Sequence, residues 1–240
     1  MSCRLCLRER PLCDSHIIPE FLYRPAYDEK RRLEVLRKVK APTRIIQKGF
    51  REKLLCEECE ALFAKEYEGY FAQLWYMDSP LPRLVETRFI QLSGIDYARF
   101  KLFHLSILWR SSVSSLGPFS QVQLGPYEEP IRKMLLDRNP GADTANTVYA
   151  TAILFPGTQQ LMEGVLGSPA AQRFEYRRVY MYLFGGCTWY YVPSPKPIEP
   201  LLPVCVKPDR TMLLPVADFS RIRALDRFFQ EHLKHNPPSP

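Results

Sequence analysis

Four of the seven cysteines stand in two Cys-x-x-Cys pairs, Cys3 with Cys6 and Cys56 with Cys59. Two residues between the thiols allow both sulfurs to bind one ion from a tight turn, and two such turns complete the tetrahedral four-thiolate shell of a structural zinc site. A structural zinc contributes folding free energy directly and orders a chain terminus that would otherwise fray. The spacing therefore predicts an N-terminal zinc-binding module with these four ligands.

A second set of metal ligands is also compatible with the cysteine spacing. Cys3 and Cys6 are followed by Cys13 and His16, so the first 16 residues alone contain three thiols and one imidazole with metal-ligand spacing. That compact site would leave Cys56 and Cys59 without partners. For this reason the two-pair site is the preferred prediction.

Cysteine usage and hydropathy also indicate where the protein is expected to reside. The N-terminus has no apolar stretch long enough for a secretory signal, and the most apolar run, 102–109, is short and is followed by Arg110. Disulfide frameworks persist mainly in oxidising compartments, so metal binding or reduced thiols explain seven cysteines better. We therefore expect a cytoplasmic protein with no membrane partner.

The charge of the chain is concentrated at one end. The formal net charge is +7, and residues 1–53 carry 14 Lys and Arg against 7 Asp and Glu, while the rest of the chain is balanced. A localised basic segment favours a polyanionic partner more strongly than a diffusely basic surface does. The charge pattern therefore predicts nucleic-acid binding in the N-terminal segment, although a solvated basic face would have the same composition.

Hydrophobic periodicity predicts an α+β protein in which residues 1–78 form the zinc module, residues 83–235 form a mixed domain of helices and an antiparallel sheet, and residues 236–240 form a disordered tail. Pro80 and Pro82 mark the boundary.

Residues 193–218 are rich in proline and are expected to be irregular. His104, which lies among apolar residues at helical spacing, is expected to be a buried structural residue. The predicted helices span 57–76, 97–115, 127–136 and 219–235, and the predicted strands span 147–155, 177–184 and 187–192, with a hairpin turn at Gly185 and Gly186.

The first cysteine pair is followed by His-Ile-Ile-Pro, which begins at His16, and later by Leu-Leu-Cys-x-x-Cys running into the helix predicted at 57–76. Over about residues 1–70 this order of motifs resembles the zinc-bearing HNH endonucleases. The resemblance implies a ββα-metal module held together by the four paired cysteines. It also implies that His16 is the general base of metal-dependent phosphodiester hydrolysis, a role that suits an imidazole near neutral pH.

The same resemblance implies a catalytic divalent ion, Mg²⁺ or Mn²⁺, and a nucleic-acid substrate, DNA more than RNA. Asp14 and Glu60 are the candidate ligands of that ion. The candidate phosphate contacts are Arg44, Lys48, Arg51 and Lys53. The domain that follows would supply specificity or a surface for a protein partner.

Three positions depart from the family pattern and support an alternative. Ser15 stands immediately before the base, where the family has an Asp or another metal-binding residue. Arg51 falls where the family has its central Asn, and Glu60 replaces the Asn or His that follows the last cysteine. The alternative is a catalytically inactive zinc module that binds nucleic acid or a protein partner.

Overall fold

A computed structural model describes residues 2–27, 32–35, 44–47 and 49–221 of the chain. The α-helices are α1 (Glu20–Tyr23), α2 (Glu57–Leu62), α3 (Gly69–Ala72), α4 (Tyr97–Val113) and α5 (Glu128–Leu136). The strands are β1 (Asp14–His16), β2 (Arg32–Val35), β3 (Arg44–Gln47), β4 (Arg51–Lys53), β5 (Phe89–Leu92), β6 (Thr147–Leu154), β7 (Gly167–Phe174), β8 (Arg177–Phe184), β9 (Cys187–Val192) and β10 (Met212–Asp218). The fold is a mixture of α-helices and β-sheets, as the sequence predicts.

These strands form three sheets. In the N-terminal segment β1 pairs with β4 and β2 pairs with β3, both antiparallel. The remaining six strands form one sheet in the order β5-β10-β6-β9-β8-β7. All neighbours in this sheet are antiparallel except β10 and β6, which are parallel.

The helix predicted at 57–76 is present and has an unusual internal geometry. Between α2 and α3 the chain is π-helical over Phe63–Glu68, and α3 is followed by a second π-helical stretch, Gln73–Met77. We call the whole run the helix 57–77. Its buried side chains recur every fourth residue: Cys59, Phe63, Tyr67, Phe71 and Trp75. A spacing of four drifts around an ideal α-helix of 3.6 residues per turn, and the wider π-helical turns offset that drift. The stripe therefore stays on one face.

Helix α4 lies between the helix 57–77 and the six-stranded sheet. It is buried on all sides from Phe100 to Ser111. On one side Phe103 stacks on Phe71 with ring centroids 4.0 Å apart. On the other side the ring centroids of His104 and Trp189 of β9 are 4.2 Å apart. One apolar cluster consequently extends from Cys3 to Leu214. The two predicted domains share this core, and their division at 78–83 stays a prediction.

Most of the predicted elements after residue 80 are confirmed. Helices α4 and α5 and strands β6, β8 and β9 lie where hydrophobic periodicity places them, and Gly185 and Gly186 form the hairpin turn between β8 and β9 with φ of 58° and 75°. Strands β5 and β7 were not predicted. The helix expected at 219–235 and the tail at 236–240 lie outside the described residues, apart from a 3₁₀ turn at Phe219–Arg221.

Two predictions about the sheet are wrong. The stretch expected to be irregular contains β10, and the sheet expected to be antiparallel includes the parallel pair of β10 and β6. Pro215 concealed the strand, because proline is rare in central strands. Here β10 pairs with β5 through Met212–Pro215 and with β6 only through Val216–Asp218, so Pro215 has a strand neighbour on one side. The long connection from β9 permits the parallel pairing.

Candidate metal centre and the His16 face

The first cysteine pair is presented by a tight turn. Cys3 N donates to Arg8 O, and Leu7 N donates to Cys3 O, each over 2.9 Å. Leu7 occupies the left-handed region with φ of 62°, which reverses the chain directly after Cys6. An isolated bridge between Ser2 and Glu9 closes the loop. This turn places the thiols of Cys3 and Cys6 on the same side.

The second pair begins the helix 57–77. Cys56 is the residue immediately before α2, and Cys59 lies in its first turn. The two pairs are joined by backbone hydrogen bonds from Arg4 N to Leu54 O, 2.9 Å, and from Cys13 N to Leu55 O, 2.7 Å. These two main-chain hydrogen bonds hold the segment before Cys56 against the turn that carries Cys3 and Cys6.

The four thiols converge. The Sγ atoms of Cys3, Cys6, Cys56 and Cys59 all lie within 4.8 Å of one another, and those of Cys6 and Cys56 are 3.9 Å apart. Four thiolates around a tetrahedral zinc, each at about 2.3 Å from the ion, are separated by about 3.8 Å, so this arrangement fits a zinc ion. All four cysteines are free thiols. Cys56 N also donates to Cys3 Sγ over 3.3 Å, the type of bond that stabilises a metal-bound thiolate.

The electrostatics of the cluster favour a bound cation. Burial raises the pKa of the Cys59 thiol well above its ordinary value, and hydrogen bonds and charges from the neighbouring cysteines raise it further. Four adjacent thiolates, three of them buried, cannot stand together without a compensating positive charge, and a divalent metal ion would supply it. The residues present therefore could hold a metal ion such as zinc.

The compact alternative set is not assembled. In the described part of the chain, the four paired cysteines are the one group of three or more potential ligands that lies within metal-binding distance. Burial and the nearby Glu60 carboxylate raise the pKa of the half-buried Cys13 thiol. The structure thus brings together the preferred set and leaves Cys13 and His16 outside it.

His16 lies at the end of β1, on a face shared with Asp14. In the β1–β4 register His16 is opposite Arg51 and Asp14 is opposite Lys53, so these four side chains point to the same side. Arg51 Nε donates to His16 Nε2 over 3.0 Å, and an Arg51 Nη lies 3.7 Å from Asp14 Oδ2. Because Nε2 accepts this bond, a neutral His16 ring carries its proton on Nδ1. We call this surface of His16, Asp14, Arg51 and Lys53 the His16 face.

Ser15 points to the opposite side of β1, toward the helix 57–77. Its fully buried hydroxyl donates to Glu60 Oε2 over 3.0 Å and accepts from Leu55 N over 3.2 Å. Burial raises the pKa of Glu60, and the charge of Arg110 and the bond from Ser15 oppose that shift. Asp14 and Glu60, the two candidate ligands of a catalytic divalent ion, therefore lie on opposite faces of β1 and are not brought together.

The four candidate phosphate contacts are placed differently. Arg51 and Lys53 belong to the His16 face. Arg44 is the first residue of β3, and Lys48 lies outside the described residues.

Sequence reasoning missed Arg110. This side chain is 1% exposed, donates from Nη1 to His16 O over 2.9 Å, and pairs with Glu68 Oε1 over 2.8 Å. The only local signal was a charged residue at the end of the most apolar stretch of the chain, where it reads simply as the end of a buried segment. Its partners are distant in sequence, so its role became visible only in the folded chain.

The helices in the described part of the chain include none with the length and apolarity needed to cross a membrane. Comparison of the chain with models of known protein families, with curated proteins and with solved structures finds no match.

Proposed function

We propose that the N-terminal segment, through the end of the helix 57–77, is a zinc-stabilised HNH-like ββα module that binds nucleic acid through the His16 face. The order of β1, the antiparallel β4 and the helix that begins at Glu57 supports the ββα assignment. The converging cysteines support the assignment of a zinc site. The zinc would hold together the turn before β1 and the turn after β4.

The observation that carries the proposal is the cross-strand arrangement of Arg51 and His16. Arg51 presents a planar guanidinium beside the imidazole, and Lys53 lies two residues further along the same face of β4. Guanidinium and ammonium groups on one partly exposed face are suited to phosphate oxygens, which the guanidinium can bind with two parallel hydrogen bonds. The basic surplus of residues 1–53 would strengthen attraction to the nucleic-acid backbone.

Metal-dependent hydrolysis is a second candidate, favoured by the place of His16 at the end of β1. When Arg51 turns from His16 to a phosphate, the Nε2 lone pair becomes free to accept a proton from water. Asp14 on the same face would offer a carboxylate oxygen to a divalent ion. Zinc would remain structural, because its four candidate ligands are all thiols from the protein.

Binding is tested with zinc-loaded protein and short single-stranded and double-stranded DNA and RNA, by fluorescence anisotropy over a salt series. We expect affinity to fall steeply with salt, DNA to bind better than RNA, and Arg51→Gln with Lys53→Gln to weaken binding and to reduce the salt slope by about one per lost phosphate contact. Arg83→Gln with Arg173→Gln removes two charges from exposed positions outside the His16 face, so it is the matched control and should leave binding unchanged. Equal binding by all variants would contradict the proposal.

Hydrolysis is tested with the same substrates, with Mg²⁺ or Mn²⁺ added or omitted. A hydrolytic module would lose cleavage about a hundredfold or more in His16→Ala while it retains zinc and affinity, because a general base contributes roughly 10²–10⁴ in rate. Salt-sensitive binding without metal-dependent cleavage would leave the binding module as the function. Equal cleavage by wild type and His16→Ala would exclude His16 as the base.

A further inference from the structure

We propose that Arg110 is a positioning residue for His16, through which helix α4 sets the geometry of the His16 face. This inference rests on the proposed function of that face. It assigns a role in nucleic-acid recognition to a residue of the segment that follows the zinc module.

Arg110 is a buried charge with a complete set of contacts. Besides its bonds to His16 O and Glu68, Nε donates to Ser106 O and Nη2 donates to Ser106 Oγ, each over 3.3 Å. The guanidinium carbon lies 5.3 Å from the centre of the Phe63 ring. A guanidinium taken out of water is costly unless it is paired and fully hydrogen-bonded, so this side chain is held in one orientation by several restraints.

The bond to His16 O is made on the side of β1 that faces away from β4. Strand pairing with β4 ends with His16 opposite Arg51, and the next backbone bond runs from Ile17 N to Phe50 O over 3.0 Å. Hydrogen-bonded and non-hydrogen-bonded pairs alternate in an antiparallel ladder, so the His16 carbonyl points away from β4, and Arg110 Nη1 binds it there. Since the direction of a side chain follows from its own backbone, fixing this carbonyl fixes the direction in which the imidazole leaves the strand.

The end of α4 also holds the partner strand. Glu52, which is opposite Ser15 in the β1–β4 register, accepts hydrogen bonds from Ser114 Oγ over 2.7 Å and from Ser115 N over 3.0 Å. One helix end thus contacts β1 at His16 and β4 at Glu52. Both strands that carry the His16 face are therefore fixed to the same rigid element.

The charge of Arg110 adds to this geometric role. Glu68 neutralises the guanidinium directly, with its Oε1 2.8 Å from Arg110 Nη1. Loss of Arg110 alone would leave the Glu68 carboxylate behind β1 without its cation. Such a change would repel phosphate from a strand end whose carbonyl had also lost its donor.

The test compares three variants of the full-length, zinc-loaded protein. Arg110→Gln combined with Glu68→Gln removes the buried pair without leaving one charge alone, and Arg110→Lys keeps the charge but loses the planar fork. Arg99→Gln removes one arginine charge from the exposed start of the same helix, at the opposite end from Arg110, and is the control. The readouts are the ring ¹⁵N signals of His16, identified with His16→Gln, and affinity for a short DNA duplex.

We expect the double variant to shift the His16 ring signals and to weaken duplex binding roughly tenfold. Arg110→Lys should show a smaller shift of the ring signals and a smaller loss of affinity than the double variant. Arg99→Gln should change neither the ring signals nor the affinity. A purely structural role predicts a lower melting temperature with unchanged His16 signals and unchanged affinity of the folded protein, and that result would overturn the inference. If the wild type binds no nucleic acid, the proposed function fails, while the His16 signals still report the coupling.

The wild-type protein provides a check that requires no folded variant. The guanidinium protons of the buried Arg110, which donate to His16 O and Glu68, should exchange with water far more slowly than those of the half-exposed Arg99. Exchange of the Arg110 protons as rapid as that of the Arg99 protons would contradict the inference even if both Arg110 variants failed to fold.

Discussion

His104 is a titratable residue in the aromatic centre of the protein. Its ring is fully buried among Phe71, Phe100 and Trp189, with Nδ1 3.0 Å from Tyr191 Oη. Nε2 has no hydrogen-bond partner among the described residues. Burial alone lowers the pKa of this imidazole well below its ordinary value. The expectation that His104 is a buried structural residue is confirmed.

This burial predicts loss of stability in acid. The unfolded chain binds a proton at His104 near pH 6.5 while the folded chain does not, so the free energy of unfolding should fall as pH drops below that value. The expected contribution is about 1.4 kcal/mol lost by pH 5.5. Urea unfolding of wild type and His104→Gln at pH 7.5, 6.5 and 5.5 measures it, because the glutamine amide does not titrate. Parallel pH dependence in the two proteins would show that His104 is not the group responsible.

At the same scale, the cysteine ligands were predictable and the surroundings of His16 were not. A spacing of two residues forces the thiols of one pair close together whatever the rest of the chain does. The bond from Arg51 to His16 Nε2 depends instead on strand register, and a shift of one residue would turn each side chain to the other face.

The hairpin between β8 and β9 is the element on which the helix 57–77 meets the sheet. Trp75 Nε1 donates to Gly185 O over 2.9 Å. A Cβ added at Gly185 would lie 2.7 Å from the same Nε1 atom, and the φ of 58° there is unfavourable for any residue with a side chain. Gly185 is therefore required both by the turn and by the close approach of Trp75.

We expect Gly185→Ala to destabilise the protein by about 3 kcal/mol, because strain of about 1–2 kcal/mol is added to a clash in the core. Gly157→Ala is the matched control, since Gly157 has a φ of 68° and no atom within 4 Å of an added Cβ. It should cost only the strain, about 1 kcal/mol. Urea unfolding measures both. Equal costs would mean that the contact with Trp75 does not restrict the turn.

Elements were predictable where the signal is local. The long helices and strands β6, β8 and β9 are encoded by periodic apolar positions, and the turn at Gly185 and Gly186 by two adjacent glycines. Strand β10 was missed because Pro215 argues against a strand, and only the change of partner at that residue makes it acceptable.

For the whole molecule, the continuity of the core decides how the metal affects stability. The apolar cluster includes the cysteines of the candidate metal centre and the inner strands of the sheet. All three tryptophans belong to this cluster. The ring centroids of Trp75 and Trp189 are 5.2 Å apart, and those of Trp109 and Phe63 are 6.4 Å apart. Loss of the metal should therefore weaken one cooperative structure that includes both predicted domains.

Removing zinc with a chelator should lower the midpoint of a single thermal transition followed by tryptophan fluorescence and circular dichroism. Cys59→Ser should lose zinc and melt at the same reduced temperature, while Cys13→Ser should retain zinc and the wild-type midpoint, as metal analysis of the purified proteins can establish. Two separate transitions, with only one sensitive to zinc, would instead support independent domains divided at 78–83.

The sequence by itself determined the four thiols, the basic character of the N-terminal segment and the elements with regular apolar spacing, because each follows from residues close together in the chain. The tertiary structure decided the rest. It separated Asp14 from Glu60 by strand alternation, placed β10 parallel to β6, and brought Arg110 of α4 to the carbonyl of His16. These contacts join residues that are distant in sequence, and burial in one shared core selects them. No local sequence pattern predicts such contacts.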